Sequence, residues 1–176
     1  MKFVPFLVLL IMLQTTLTIF NFSNDSSLDQ WQVVNDGVMG GRSQGYFSIS
    51  KEGYGLFQGT VSLENNGGFS LVQHRFKPLN VTNYRTIMIK LKGDGKEYQV
   101  RIKKDKYDYY SYASNVATSG EWQTIEIPFD KMIPQFRGRR LNMPKFSGEQ
   151  LEEIAILIGN KKAEDFDLQI ASISLK

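Results

Sequence analysis

From Ile19 onward the apolar residues recur mainly at every second position, and the runs they form are broken by Gly, Asn, Asp and Pro. Period-two alternation is the pattern of a strand with one buried face. It predicts strands over residues 46–50, 56–63, 69–73, 86–92, 97–103, 107–113, 121–127, 153–158 and 166–175. Between the fourth and fifth of these lies Gly93-Asp94-Gly95-Lys96, and Asp-Gly accepts the positive torsions of a tight turn, which predicts a hairpin over residues 86–103. Helix is scarce. Ser147 followed by Glu149 and Glu152 predicts one short capped turn over residues 147–152. Many short, evenly spaced strands with at most one or two helical turns predict an all-β protein, a two-sheet jelly-roll β-sandwich. Residues 19–22 and 168–173 are both strand-like and are expected to pair, since the termini of one domain often lie close together.

The first residues follow a different rule. Met1-Lys2 is a short positive start, and residues 3–13 are apolar except for Pro5. This is the pattern of a secretory signal, shorter than the roughly 20 residues a membrane span needs. Residues 1–18 are therefore expected to be a signal peptide, with a cut after Thr18, and residues 19–176 a single domain with no stable membrane span after processing. With no cysteine in the chain, export points to a bacterial periplasm or cell envelope rather than to a disulfide-dense extracellular scaffold.

Composition narrows the chemistry. At 176 residues, 41% hydrophobic and 22% charged, the chain can bury a core without disulfides or a structural metal. The absence of cysteine excludes zinc ribbons, Fe–S clusters and thiol nucleophiles, and a single histidine, His74, excludes an imidazole-rich metal site. No metal and no cofactor is expected. The net charge of +3 is mostly interspersed and predicts no nucleic-acid partner; the dense basic run Arg137, Arg139, Arg140 and Lys145 is expected to be a solvated loop.

Two glycine-rich clusters are the candidate binding loops. Asn35, Asp36, Gly37, Val38, Met39, Gly40, Gly41, Arg42 and Ser43 sit between Trp31 and the Tyr46 strand, and Glu64, Asn65, Asn66, Gly67, Gly68 and Phe69 form the second. Their glycines permit close approach of another backbone or a ligand. Equally, Asn35 and Asp36 can bond their own backbone in a tight connection. The first cluster is not a P-loop, because no Gly-Lys-Ser/Thr ending and no helix follow. Strand alternation over residues 107–112 puts Tyr107 and Tyr109 on one face and Tyr110 and Tyr112 on the other, so one pair is expected outward, as a flat platform suited to a sugar ring.

Taken together, Trp31, residues 35–43, Phe57-Gln58-Gly59, residues 64–69, Gly93-Asp94-Gly95, Trp122, Pro128-Phe129 and Phe136-Arg137-Gly138 resemble the CIA30 family, the complex I intermediate-associated protein 30 domain, in order and spacing across nearly the whole expected mature chain. The resemblance implies a galactose-binding-like jelly roll, similar to some carbohydrate-binding modules, and a non-catalytic role; the family's mitochondrial members are assembly factors for respiratory complex I. The export-type start departs from a transit peptide, and Gln73 stands where the family motif usually has Arg, with Arg75 two residues on expected to face the same side.

The expected function is thus a CIA30-type binding or assembly module acting on a protein partner. The first alternative is a carbohydrate-binding module of the envelope taking a glycan on Tyr110 or Trp122. The second is a carboxylate-dependent hydrolase, for which Glu64, Asp94, Asp108, Glu121 and Glu126 supply the residue type but no spacing nominates a pair, while His74 lacks any nucleophile-elbow motif. The two glycine-rich loops are expected to share one edge of the sandwich.

Overall fold

The computed structural model describes residues 15–176, and the expected signal segment falls almost wholly outside them. Among the described residues thirteen strands are formed: β1 (Leu17–Asn21), β2 (Trp31–Asn35), β3 (Gln44–Ile49), β4 (Gly55–Val61), β5 (Ser70–Asn80), β6 (Thr86–Lys92), β7 (Glu97–Lys103), β8 (Ser111–Ala117), β9 (Trp122–Pro128), β10 (Ile133–Phe136), β11 (Arg139–Arg140), β12 (Gln150–Ile158) and β13 (Glu164–Leu175). The first sheet runs β3-β4-β13-β6-β9, with β1 also on β13; the second runs β11-β10-β8-β7-β12-β5-β2. All pairings are antiparallel. The architecture is the expected jelly-roll sandwich.

Between the sheets, Phe57, Ile87, Ile89 and Leu168 of the first meet Val100, Ile102, Ile154 and Ile156 of the second, all at most 1% exposed. At one edge Phe20, Phe22, Trp31, Phe47 and His74 form a ring cluster in which His74 stacks on Trp31 with centroids 4.6 Å apart. The termini pair as expected, Leu17 with Leu175 and Phe20 with Ile173, and β1 starts just before Thr18.

Three local expectations are corrected. Residues 86–103 are not a hairpin: β6 lies in the first sheet and β7 in the second, so residues 93–96 cross between layers. The Asp94 carboxylate holds that corner, accepting from the Tyr98 hydroxyl at 3.1 Å, the Lys96 ammonium at 2.7 Å and the Asp167 amide at 3.0 Å. Residues 147–152 make no helical turn, because from Leu151 on the chain is an interior strand buried on both faces. The helical turns are short 3₁₀ segments at Asp36–Met39, Glu64–Asn66 and Phe129–Lys131. Finally, residues 107–110 are a loop, and the strand begins only at Ser111.

Candidate functional site

The two glycine-rich loops do meet, and the group that joins them is the Asp36 carboxylate. It is fully buried. Oδ1 accepts the Ser43 amide at 2.9 Å; Oδ2 accepts the Ser43 hydroxyl at 2.5 Å, the Gly68 amide at 2.6 Å and the Phe69 amide at 3.3 Å. Burial pushes this carboxyl up, but the Ser43 hydroxyl and the Gly68, Ser43 and Phe69 amides outweigh it and hold it below the ordinary carboxylate range. Asn35 plays a parallel part, its Oδ1 accepting the Gly45 amide at 3.0 Å and the Ser70 hydroxyl at 2.7 Å.

The glycines explain themselves against this carboxylate. A Cβ on Gly67 would lie 2.5 Å from Asp36 Oδ2, and one on Gly41 would strike the same carboxyl group and the Gly67 Cα at 2.8 Å. Gly40 instead supplies a left-handed C-cap, φ 90°, that turns the chain out of the 3₁₀ segment. Gly37, by contrast, faces open space. Arg42 pairs with Glu64 at 2.7 Å across the two loops, both side chains exposed. Asn65 and Asn66 take left-handed torsions, φ 55° and 60°, as Asn tolerates in a turn. An anion needs free amides, and Asp36 already occupies those of Ser43, Gly68 and Phe69.

What the clamp builds is one wall of a cleft on the outer face of the second sheet. The cleft has a volume of about 510 Å³. Met39, Gly68 and Phe69 form the loop wall; Tyr109, Tyr110, Phe136 and Arg137 form the opposite wall. The floor comes from β5, β12 and β7. Cross-strand register sets it in rows, Gln73 beside Ala155 beside Arg101, then Leu71 beside Leu157 beside Gln99. Gln73 Nε2 donates to Gln32 at 3.0 Å, and Arg75 faces the same side, its Nε donating to Glu153 at 2.7 Å. Arg101 Nε donates to Gln99 at 2.6 Å, and burial pushes its guanidinium below the ordinary value.

The remaining candidates scatter. Tyr110 lies on the cleft wall, pushed up to about 12 by its hydrogen bond with Tyr112 and by burial. Tyr112 is corrected: it points inward, only 7% exposed, against Phe146. Tyr107 and Tyr109 are the exposed pair, while Tyr110 and Tyr112 meet edge to face at 76° and form no flat outward platform. Tyr109 meets Tyr110 at 68° and Phe136 at 80°, edge to face, with centroids 5.2 and 5.3 Å apart. Trp122 lies on the other sheet against Tyr54, far from these walls in the topology, and Asp94 belongs to the interlayer corner. The basic run is exposed as expected, but Arg137, φ 47°, turns β10 into β11, so Arg137, Arg139 and Arg140 sit on a hairpin and only Lys145 on a loop.

Sequence reasoning missed Arg101, Lys103, Glu153 and Gln135 as cleft residues. The polar alternation of Gln99, Arg101 and Lys103 signals an outward face, but which strands flank it is a property of topology. Among the described residues no group of three or more His, Asp or Glu is placed to hold a metal ion, and no helix is long and apolar enough to cross a membrane.

The two-sheet jelly roll is a fold this chain shares with carbohydrate-binding modules. The family 11 carbohydrate-binding module from Clostridium thermocellum, solved in complex with a β-1,3-1,4-mixed-linked tetrasaccharide, superposes with a TM-score of 0.65 at 16% identity, covering 91% of this chain and 94% of the module. Within that fold, the model of the complex I intermediate-associated protein 30 (CIA30) family matches residues 20–170, and the chain belongs to this family. The mitochondrial complex I intermediate-associated protein 30 of Drosophila melanogaster is 28% identical over 143 residues, covering 69% of this chain and 48% of that protein. The Mus musculus protein is 25% identical over 151 residues, covering 73% and 46%. The chain thus spans about half the length of these curated relatives.

Proposed function

We propose that this chain is a non-catalytic CIA30-type module that holds a protein partner in the cleft of its second sheet, in an assembly role like the one its relatives' names describe. The observation that carries the reading is the cleft itself. It combines apolar edges, Met39, Tyr109 and Phe136, with a floor where Gln73, Arg101 and Lys103 stand among Leu71, Ala155 and Leu157, and the family's own glycine-rich motif builds one of its walls. A mixed cleft of this kind suits a folded or extended polypeptide. Catalysis is disfavoured because Glu153 is the one carboxylate among the lining residues, and it is engaged by Arg75 at 2.7 Å and Lys103 at 4.0 Å, leaving no opposed acid pair.

The test is site-specific photo-cross-linking in extracts of the native organism, with a photoreactive residue replacing either Tyr109 on the cleft rim or Tyr46 on the other sheet, both well exposed. A discrete protein adduct from position 109 and none from position 46 is the expected result. Equal patterns from the two positions, or none, would defeat it.

A second reading, glycan binding, is favoured by the fold class and by the amides of Gln73, Gln99 and Gln135 on the sheet face. Retention on an oligosaccharide gel that is lost in Tyr109→Ala would support it. Export to a bacterial envelope is proposed from residues 3–13 alone, and cell fractionation of the tagged full chain checks it.

A further inference from the structure

The cleft floor carries a positive charge that the protein leaves without an acid. On the row that crosses β5, β12, β7 and β8, Arg101 stands between Ala155 and Ala113, so neither adjacent strand offers it a polar side chain in register. Its Nε is spent on Gln99, and among the described residues no carboxylate pairs with it. The nearest acid in register, Glu153 on the next row, is neutralised by Arg75 and Lys103. Lys103 itself also donates to the Asp108 carbonyl at 2.9 Å. From this floor the charge continues to the rim, where Arg137 lies over the Phe136 ring at 5.3 Å, and on to the exposed Arg139 and Arg140 of β11.

A cleft-lining guanidinium with one donor engaged by a neighbouring amide and no carboxylate partner is suited to take a planar carboxylate in a bidentate fork. The walls say what accompanies that carboxylate. Tyr109, Tyr110 and Phe136 pack edge to face, so they offer ridges and a notch rather than the coplanar surface on which a pyranose ring stacks, and Met39 opposite them is a flexible apolar contact. We propose that the cleft recognises an extended acidic polypeptide segment in which carboxylate and apolar side chains alternate, one carboxylate seated on Arg101 and its apolar neighbours against Tyr109, Phe136 and Met39. This rests on the protein-partner reading above and gives it a ligand chemistry.

The experiment is a selection of random dodecapeptides displayed on phage against the immobilised full chain, with Tyr109→Ala as the cleft-dead control and polygalacturonate as an acidic saccharide probe. Enriched peptides are expected to carry Asp or Glu interleaved with apolar residues. Synthetic copies should bind at least tenfold more weakly to Arg101→Met, a few-fold more weakly to the exposed-hairpin variant Arg137→Ser, and more weakly as NaCl is raised. Arg101→Met should melt no lower than the wild type, because it deletes an unpaired, largely buried charge; should it nonetheless misfold, Arg137→Ser and the salt series decide. Peptides that depend on Tyr109 but lack acids, or ignore Arg101, would overturn this inference and leave the partner reading standing. No enrichment over Tyr109→Ala would overturn this inference, and the position-109 cross-link then decides the partner reading separately. Polygalacturonate retained through Arg101 without any peptide would keep the charge preference but assign the cleft to a saccharide, which also overturns the proposal.

Discussion

Replacing Asp36 by Asn tests whether the glycine-rich motif exists to hold the fold. Both carboxylate oxygens accept backbone N–H groups in a fully buried site, Oδ1 from Ser43 and Oδ2 from Gly68 and Phe69. An amide has only one oxygen. Whichever way Asn is turned, its NH₂ must face a donor: one orientation orphans the Ser43 amide, the other orphans those of Gly68 and Phe69. The milder orientation leaves one buried N–H unsatisfied, costing about 1–3 kcal/mol, and removes the charge assistance from the remaining bonds, about 2 kcal/mol more. The expected loss is therefore about 3–5 kcal/mol, which for a chain of this size lowers the melting temperature by roughly 6–20 °C. The assay is equilibrium urea unfolding of the full chain at pH 7, followed by the fluorescence of Trp31 in its ring cluster. Because the folded carboxyl is held below its unfolded value of 3.8, the stability it contributes is complete above that value and is lost only as the pH falls through the lower folded value. The gap between wild type and Asp36→Asn should thus persist at pH 5 and close only in strong acid. An Asn variant within about 0.5 kcal/mol of the wild type would refute the reasoning and return the motif to ligand binding.

Other consequences are checked in the same way. Gly67→Ala, whose backbone is extended but whose Cβ would press on Asp36, should cost about 1–3 kcal/mol in urea unfolding, whereas Gly95→Ala, with open space but φ 82°, should cost only about 1 kcal/mol of backbone strain. Asp94→Ala strands the Asp167 amide and removes the shorter of the two bonds of the buried Tyr98 hydroxyl, and should lower stability by about 2–3 kcal/mol in thermal unfolding. His74, pushed below its ordinary 6.5 by burial, is packed among Phe20, Trp31 and Phe76, none of which titrates. The unfolded chain then takes up a proton that the folded one refuses, so stability should fall as the pH drops below about 6.5, and His74→Phe should flatten urea midpoints measured between pH 7 and pH 5.

Most strands were legible because one face of each is buried and the other is not, as in Gln99, Arg101 and Lys103 against Tyr98, Val100 and Ile102. Where the pattern misled, a local signal had two physical meanings. Asp-Gly at residues 94–95 satisfies a sharp change of direction equally well within a sheet or between sheets, and only the partners of Asp94 decide which. The tyrosines at 107–110 have strand-like composition, yet the chain there is turned by the Asp105 carboxylate bonding the Tyr107 amide at 2.8 Å. The acidic start of β12 imitates a helix N-terminus because Glu152 and Glu153 are paired to Lys106 and Arg75 from neighbouring segments, contacts that no window of sequence contains. For the candidate site, the two loops were found from their glycines, but their product was not: the cleft floor sets Gln73, Ala155 and Arg101 side by side from strands far apart in the chain.

The place of β13 has a consequence for how the molecule is made. It is hydrogen-bonded to β4, to β6 and to β1, so in its absence the first sheet falls into separate pieces with interior edges bare. A ribosome delivers β4 about a hundred residues before β13. For that whole interval the growing chain must keep two aggregation-prone edges from finding wrong partners, and closure of the sheet has to wait for the late strand. Such a fold, dominated by pairings between distant segments, is expected to mature slowly after synthesis, and a chain stopped before Glu164 would have every strand of the second sheet and a first sheet unable to close.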